Sequence, residues 1–204
     1  MSSLDHATVM DLNRRDGWNG FFRVGVYRFQ HELLSGEMGP ALQREVFERG
    51  HAAAVLPWDP VRDEVLLIRQ FLIGAHLAGL ANRPLQVVAG MIETGESGAE
   101  VARREAVEEA GCTIGELIPA QPFLSSPGGS SERIETFLAV TDLTDAGGRF
   151  GLAEENEDIE AVVMPADEAI ARLDAGEIEA APAVVLLSWF ARHHDRLKAL
   201  YARD

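Results

Sequence analysis

The chain has 204 residues, 47% of them hydrophobic and 25% charged, enough to bury one sizeable core with a small added subdomain. A net charge of −15 argues against a nucleic-acid or anionic-membrane surface, since both call for basic patches. No apolar run approaches the roughly 20 residues that span a bilayer, and a single cysteine, Cys112, excludes an intrachain disulfide framework. If the substrate is an anion, a divalent cation is the obvious bridge between it and so acidic a protein. The N-terminal stretch has no basic region followed by an apolar one, so no secretory signal is expected and a cytoplasmic location is.

In chain order, FFRVGVYRFQHEL (Phe21 to Leu33) reads as a strand rich in aromatic and β-branched residues, and LQREVFERG (Leu42 to Gly50) as another. The turn SGEMGP between them predicts a small antiparallel layer. HAAAVLPW and EVLLIRQFLI are apolar strands flanking the turn DPVRD, and LQVVAG is a short buried strand beyond a loop. A helix follows, then strands near Glu116 to Phe123 and Arg133 to Leu143, and a long loop ending near Asp158. IEAVVM is the last strand, before helices at Ala166 to Leu173 and roughly Ala183 to Tyr201. The order predicts an α/β/α sandwich around a mixed sheet, with an N-terminal β extension. In the final helix Val184, Leu187, Trp189, Phe190 and Leu197 suit core or subunit contact. His193 and His194 point about 100° apart on that helix and do not form a metal pair. His51 and His76 belong to no ligand pattern and are read as structural.

GMIETGESGAEVARREAVEEAGC, from Gly90 to Cys112, centres on a well-marked helix. Ser97 and Glu100 have capping-box spacing, and Gly111 sits where a helix ends in a left-handed residue. Ala99, Ala102, Ala106 and Ala110 make one narrow stripe of small side chains, which is packing. Glu105, Glu108 and Glu109 share a separate arc of about 100°. Like charges so spaced cost about 0.2–0.5 kcal/mol each. They also crowd the helix C-terminus, where the macrodipole disfavours anions. Arg104 alone cannot balance three carboxylates. A hard cation would, because Mg²⁺ prefers oxygen ligands and tolerates crowded carboxylates, so the residues alone favour metal binding over a solvated acidic face.

This stretch resembles the Nudix box, G-x5-E-x7-R-E-U-x-E-E-x-G-U, with U apolar. Gly90, Glu96, Arg104, Glu105, Ala106, Glu108, Glu109, Gly111 and Cys112 fill every position. Each fixed letter is roughly 5–7% of ordinary usage, so chance agreement is about one window in 10⁸ or rarer. The resemblance implies Mg²⁺ (or Mn²⁺) held mainly by Glu105 and Glu109, with Glu108 close by and the Ala89 carbonyl as a further ligand. It implies that Gly90, Glu96, Arg104 and Gly111 are structural, with Glu96 and Arg104 an ion pair that braces the loop. Cys112 fills an apolar box position and reads as core.

REVFERGHAA, PWDPVRDEVLLIRQ, SSPGGSSER and ENEDI extend the resemblance to the bacterial ADP-ribose pyrophosphatase branch, which Pro127 also marks. The implied reaction is Mg²⁺-dependent hydrolysis of ADP-ribose to AMP and ribose 5-phosphate. The implied architecture is an N-terminal β subdomain (1–48) that serves dimerisation and base contacts, and a Nudix domain (49–204). In that branch the N-terminal strands cross to the partner of a homodimer. Carried over, Phe21 stacks on adenine and Arg44 and Glu45 contact it, while Ser126, Gly129 and Glu132 lie near the terminal ribose or phosphates. No nucleic-acid or membrane partner is expected.

Two positions depart from the pattern. Leu72 stands where the family commonly has an arginine after Gln70, and Gln86 where it tends to have an acid. They keep open another nucleoside diphosphate sugar, such as GDP-mannose or ADP-glucose, with Arg83 or Arg69 as a substitute cation. A non-catalytic ADP-ribose sensor is disfavoured, because such proteins lose box carboxylates or add a DNA-binding domain.

GLAEENEDIE (Gly151 to Glu160) reads alone as a solvated acidic loop. By resemblance ENED is the loop that brings glutamates over the metals. Glu155 is then assigned as general base and Glu157 as an additional metal ligand, with the two roles exchangeable. Glu154, Asp158 and Glu160 keep the solvated reading.

Overall fold

A computed structural model describes residues 6–152, 154 and 156–201. The elements in order are β1 (Val9–Asn19), β2 (Arg23–His31), β3 (Leu42–Glu48), β4 (Ala52–Asp59), β5 (Glu64–Arg69), α1 (Ile73–Leu77), β6 (Leu85–Gln86) and β7 (Val88–Met91). There follow α2 (Gly98–Ala110), β8 (Glu116–Pro119), β9 (Phe123–Leu124), β10 (Arg133–Val140), β11 (Gly148–Phe150), β12 (Ile159–Pro165), α3 (Ala166–Asp174) and α4 (Ala181–Tyr201). They fall into two compact units. One runs to Gly50 and takes in Leu124–Glu132; the other holds His51–Phe123 and the chain from Arg133 onward.

The larger unit has the expected mixed sheet flanked by helices, with a central strand path of β11-β12-β5-β4-β10-β8. β4 and β10 run parallel, and the other pairs on this path are antiparallel. All eight residues of β4 are buried, which explains why it reads as one unbroken apolar run. Its side chains alternate between two cores. Ala52, Ala54, Leu56 and Trp58 pack with Leu186, Leu187 and Phe190 of α4. Ala53 and Val55 pack on the opposite face with Val101, Ala102 and Ala106 of α2. Trp58 meets Phe190 edge-to-face at 5.6 Å between ring centroids, a pairing worth about 0.5–1.5 kcal/mol beyond burial.

Asp63 pins α4 to the β4–β5 hairpin. Its carboxylate takes Lys198 Nζ and His194 Nε2 at 2.7 Å and the Trp58 indole N–H at 3.2 Å. Burial opposes its ionisation, but these partners outweigh burial and hold the carboxyl below its usual range. His51 Nδ1 accepts the Arg133 N–H at 3.2 Å, tying the start of β4 to β10. Among the described residues no helix is long and apolar enough to cross a membrane.

Three details differ from the sequence reading. EVLLIRQFLI does not stay a strand, because β5 ends at Arg69 and Ile73 begins α1. LQVVAG splits into β6, paired with β5, and β7, paired with β4. β11 lies within the stretch read as loop.

In the smaller unit β1, β2 and β3 form an antiparallel sheet, and Val9–Asn19 is a strand the sequence did not announce. Every residue of β1 is exposed, and bulges interrupt its register with β2. Arg14 and Tyr27 converge on Glu48, whose carboxyl is held down at about 2, chiefly by the Arg14 hydrogen bond. The segment around SSPGGSSER groups with this sheet. The Phe47 N–H donates to the Gly129 carbonyl at 2.8 Å, and Ser130 Oγ donates to the Phe47 carbonyl at 3.2 Å.

Candidate active site

α2 begins where its sequence says it should. Ser97 Oγ accepts the Glu100 N–H at 3.3 Å, and the Glu100 carboxylate takes the Ser97 N–H at 2.7 Å. It ends at Gly111 with φ of 58°, a conformation glycine adopts without cost. Those two stops fix the rotation of the helix, so Ala102, Ala106 and Ala110 sink into the core and Glu105 and Glu109 face β7.

β7 is shaped to receive them. A Cβ on Gly90 would lie 1.7 Å from Glu105 Oε1, so the box glycine is the space its carboxylate occupies. One residue earlier, the Ala89 N–H donates to Glu109 Oε2 at 3.0 Å. Gln70 Nε2 donates to Glu109 Oε1 at 3.2 Å. Glu109 is only 3% exposed. Burial drives its pKa up to about 8, the charges of Glu105 and Glu157 add to the rise, and the Ala89 and Gln70 hydrogen bonds only partly oppose it. Burial raises Glu105 as well, with Arg104 opposing and the charges of Glu108 and Glu157 reinforcing.

Arg104 reaches Glu105 at 2.7 Å, Glu108 at 3.0 Å and Glu96 at 3.2 Å. One guanidinium therefore touches three box carboxylates and leaves Glu109 to neutral donors. Glu157 accepts the Leu152 N–H at 3.2 Å and lines a cavity of about 250 Å³ with Gln70, Phe71, Arg83, Asn156 and Asp158. Gln70 links that cavity to Glu109. Glu160 pairs with Arg69 at 3.5 Å and, like Glu154, is exposed. The assignment on Glu155 falls outside the described residues.

Among the described residues no three acidic, His or Cys side chains form a ready-made metal cage. The donor set nonetheless fits a hard divalent cation. It offers carboxylate oxygens, and its most buried member is pushed towards neutrality by burial and by the neighbouring charges of Glu105 and Glu157, which a cation would reverse. Glu105, Glu109 and Glu157 would hold such an ion, with Glu108 beside them on Arg104.

The six residues assigned to substrate all lie in the smaller unit. Phe21 is 89% exposed and edge-on to Phe22 at 4.8 Å. Arg44 and Glu45 are exposed on β3. The Ser126 carbonyl accepts the Gly129 N–H at 3.0 Å in the turn, and Glu132 is buried with Arg49 Nε 3.2 Å away. Sequence reasoning did not single out Gln70 as a partner of Glu109. Gln70 lies just past the end of β5 and meets α2 only through tertiary packing, which no local pattern displays.

A sequence model of the NUDIX domain matches residues 48–184. The chain belongs to the NUDIX domain family. It is 48% identical over 191 residues to the ADP-ribose pyrophosphatase of Escherichia coli (strain K12), covering 94% of this chain and 91% of that protein. It is 33% identical over 193 residues to the GDP-mannose pyrophosphatase of Escherichia coli O1:K1 / APEC, covering 93% and 88%. Among solved structures, a crystal structure of an ADP compounds hydrolase superposes with a TM-score of 0.68 at 21% identity, covering the whole of both chains, and shares the fold.

Proposed function

We propose that this Nudix hydrolase cleaves ADP-ribose to AMP and ribose 5-phosphate with Mg²⁺, for which Mn²⁺ can substitute. The observation that carries the chemistry is the buried Glu109, whose charge neutral donors cannot compensate. The substrate rests on the 48% identity to an ADP-ribose pyrophosphatase along nearly the whole chain. Bound divalent cations would neutralise the pyrophosphate and lower the pKa of a coordinated water. Glu105, Glu109 and Glu157, with the Ala89 carbonyl, hold them in this reading. Glu96 and Arg104 brace the loop and set the Glu105 carboxylate against Gly90. Glu155 takes the proton from the attacking water, with Glu157 able to exchange roles; a base must lie within hydrogen-bond reach of that water.

The smaller unit is proposed to recognise the nucleoside and to be exchanged within a homodimer. Phe21 offers a bare aromatic face to adenine, and Arg44 and Glu45 offer charge and hydrogen bonds to its edge. Ser126, Gly129 and Glu132 serve the terminal ribose or phosphates. GDP-mannose is the second reading, favoured by its pyrophosphatase relative and by Leu72.

A panel of ADP-ribose, ADP-glucose, GDP-mannose, NADH and a dinucleoside polyphosphate, with Mg²⁺ and products resolved by chromatography, separates these readings. Preferred cleavage of ADP-ribose supports the first, preferred GDP-mannose the second, and cleavage of none would refute both. Light scattering at twice the chain mass is expected; one chain mass would contradict the exchanged dimer.

A further inference from the structure

Among the described residues lining the cavity beside Glu157, Arg83 is the one with a cationic side chain. A nucleoside diphosphate sugar brings two negatively charged phosphoryl groups to a region already occupied by Glu105, Glu109 and Glu157. Metal-binding carboxylates cannot grip those phosphoryl oxygens, and a guanidinium facing them would complement the charge that bound cations supply. Arg69 is paired with Glu160 at 3.5 Å, and Arg104 is held by Glu96, Glu105 and Glu108.

Backbone register explains why Arg83 is well placed. β5 and β6 run antiparallel, with Arg69 opposite Leu85. The Leu72 N–H donates to the Asn82 carbonyl at 2.8 Å, which continues the same pairing past the end of both strands. In that register Phe71 faces Arg83, one step from Leu72. Pro84 follows Arg83 and biases its backbone to extended conformations. Arg83 lines the same cavity as Gln70, which is itself hydrogen-bonded to Glu109.

We propose that Arg83 is the pyrophosphate-binding residue of this enzyme, acting from across the strand pair in place of an arginine at position 72. The inference rests on the nucleoside diphosphate sugar reading above and adds to it the residue that holds the phosphates. An arginine suits the task because its planar fork donates two parallel hydrogen bonds to one phosphoryl group.

The test is calorimetric binding of ADP-ribose to the purified full-length protein in EDTA, repeated as KM and kcat with Mg²⁺. Arg83→Leu is expected to weaken binding and raise KM by about tenfold to a hundredfold, the usual worth of a charge-assisted hydrogen bond, with a smaller change in kcat. Arg83→Lys restores part of the loss. Adding Leu72→Arg to Arg83→Leu restores more, because it returns a guanidinium one residue away. Unchanged affinity and KM in a folded Arg83→Leu protein, with wild type active on ADP-ribose, would overturn the assignment while leaving the substrate reading intact. If wild type cleaves GDP-mannose instead, the ADP-ribose reading falls, and the same variants measured on GDP-mannose decide Arg83.

Discussion

Two acidic segments, Glu105–Glu109 on α2 and Glu154–Glu160 before and into β12, are similar in composition and differ in physical state. On α2 Glu109 is 3% exposed, and that burial drives its pKa up to about 8. In the second segment Glu154 and Glu160 lie exposed, while the charge of Glu157 is felt by Glu105 and Glu109. The contrast teaches that carboxylate density alone does not set a group's state. Desolvation without enough compensating charge prepares a carboxylate for a cation, and that depends on what the backbone lets approach.

The contrast breaks most sharply at Glu109. Glu109→Gln keeps the shape and removes the charge, so kcat for ADP-ribose should fall about 10³-fold or more, several kcal/mol of transition-state stabilisation, with a native circular dichroism spectrum. Near-normal turnover would mean the buried carboxylate holds nothing. Gly90→Ala attacks the approach and leaves every carboxylate in place. Its Cβ would fall 1.7 Å from Glu105 Oε1, so the carboxylate must move, and activity or metal affinity should drop about 10–100-fold.

A smaller effect tests the burial itself. In metal-free protein Glu109 has a folded pKa raised from 4.5 to about 8, so its contribution to stability is complete below the lower value and is lost as pH rises through the upper one. Thermal melts in EDTA should therefore show wild type losing ground to Glu109→Gln across that window. A gap of about 2 kcal/mol would be roughly 4–8 °C in a chain of this size. Added Mg²⁺ should close it. A constant gap across the window would show that Glu109 is not desolvated. Smallest of all, Glu154→Gln and Glu160→Gln should leave turnover within about twofold, as surface substitutions do; a large loss from either would erase the distinction between the two segments.

Much of this was legible in the sequence for a local reason. Ser97, Glu100 and Gly111 fix α2 by short-range capping, and the Glu105–Glu109 arc follows from helical periodicity. β4 announced itself by continuous apolarity because both its faces are buried. What stayed hidden depends on partners far along the chain. The role of Gly90 as a seat for Glu105 and the contact of Gln70 with Glu109 need the tertiary pairing. β1 was missed because its exposed residues mix polar and apolar side chains without a period of two, and its bulges break what alternation there is. The end of β5 was missed because Phe71, Leu72 and Ile73 continue the apolar run while the backbone turns into α1.

The buried face of α2, and not the acidic loop alone, is the proposed seat of the cation. Electron paramagnetic resonance of Mn²⁺ titrated into wild type, Glu109→Gln and Glu154→Gln tests it without reference to turnover. Tight Mn²⁺ binding in wild type and Glu154→Gln, lost in Glu109→Gln, is the predicted result. Equal Mn²⁺ affinity in wild type and Glu109→Gln would contradict it.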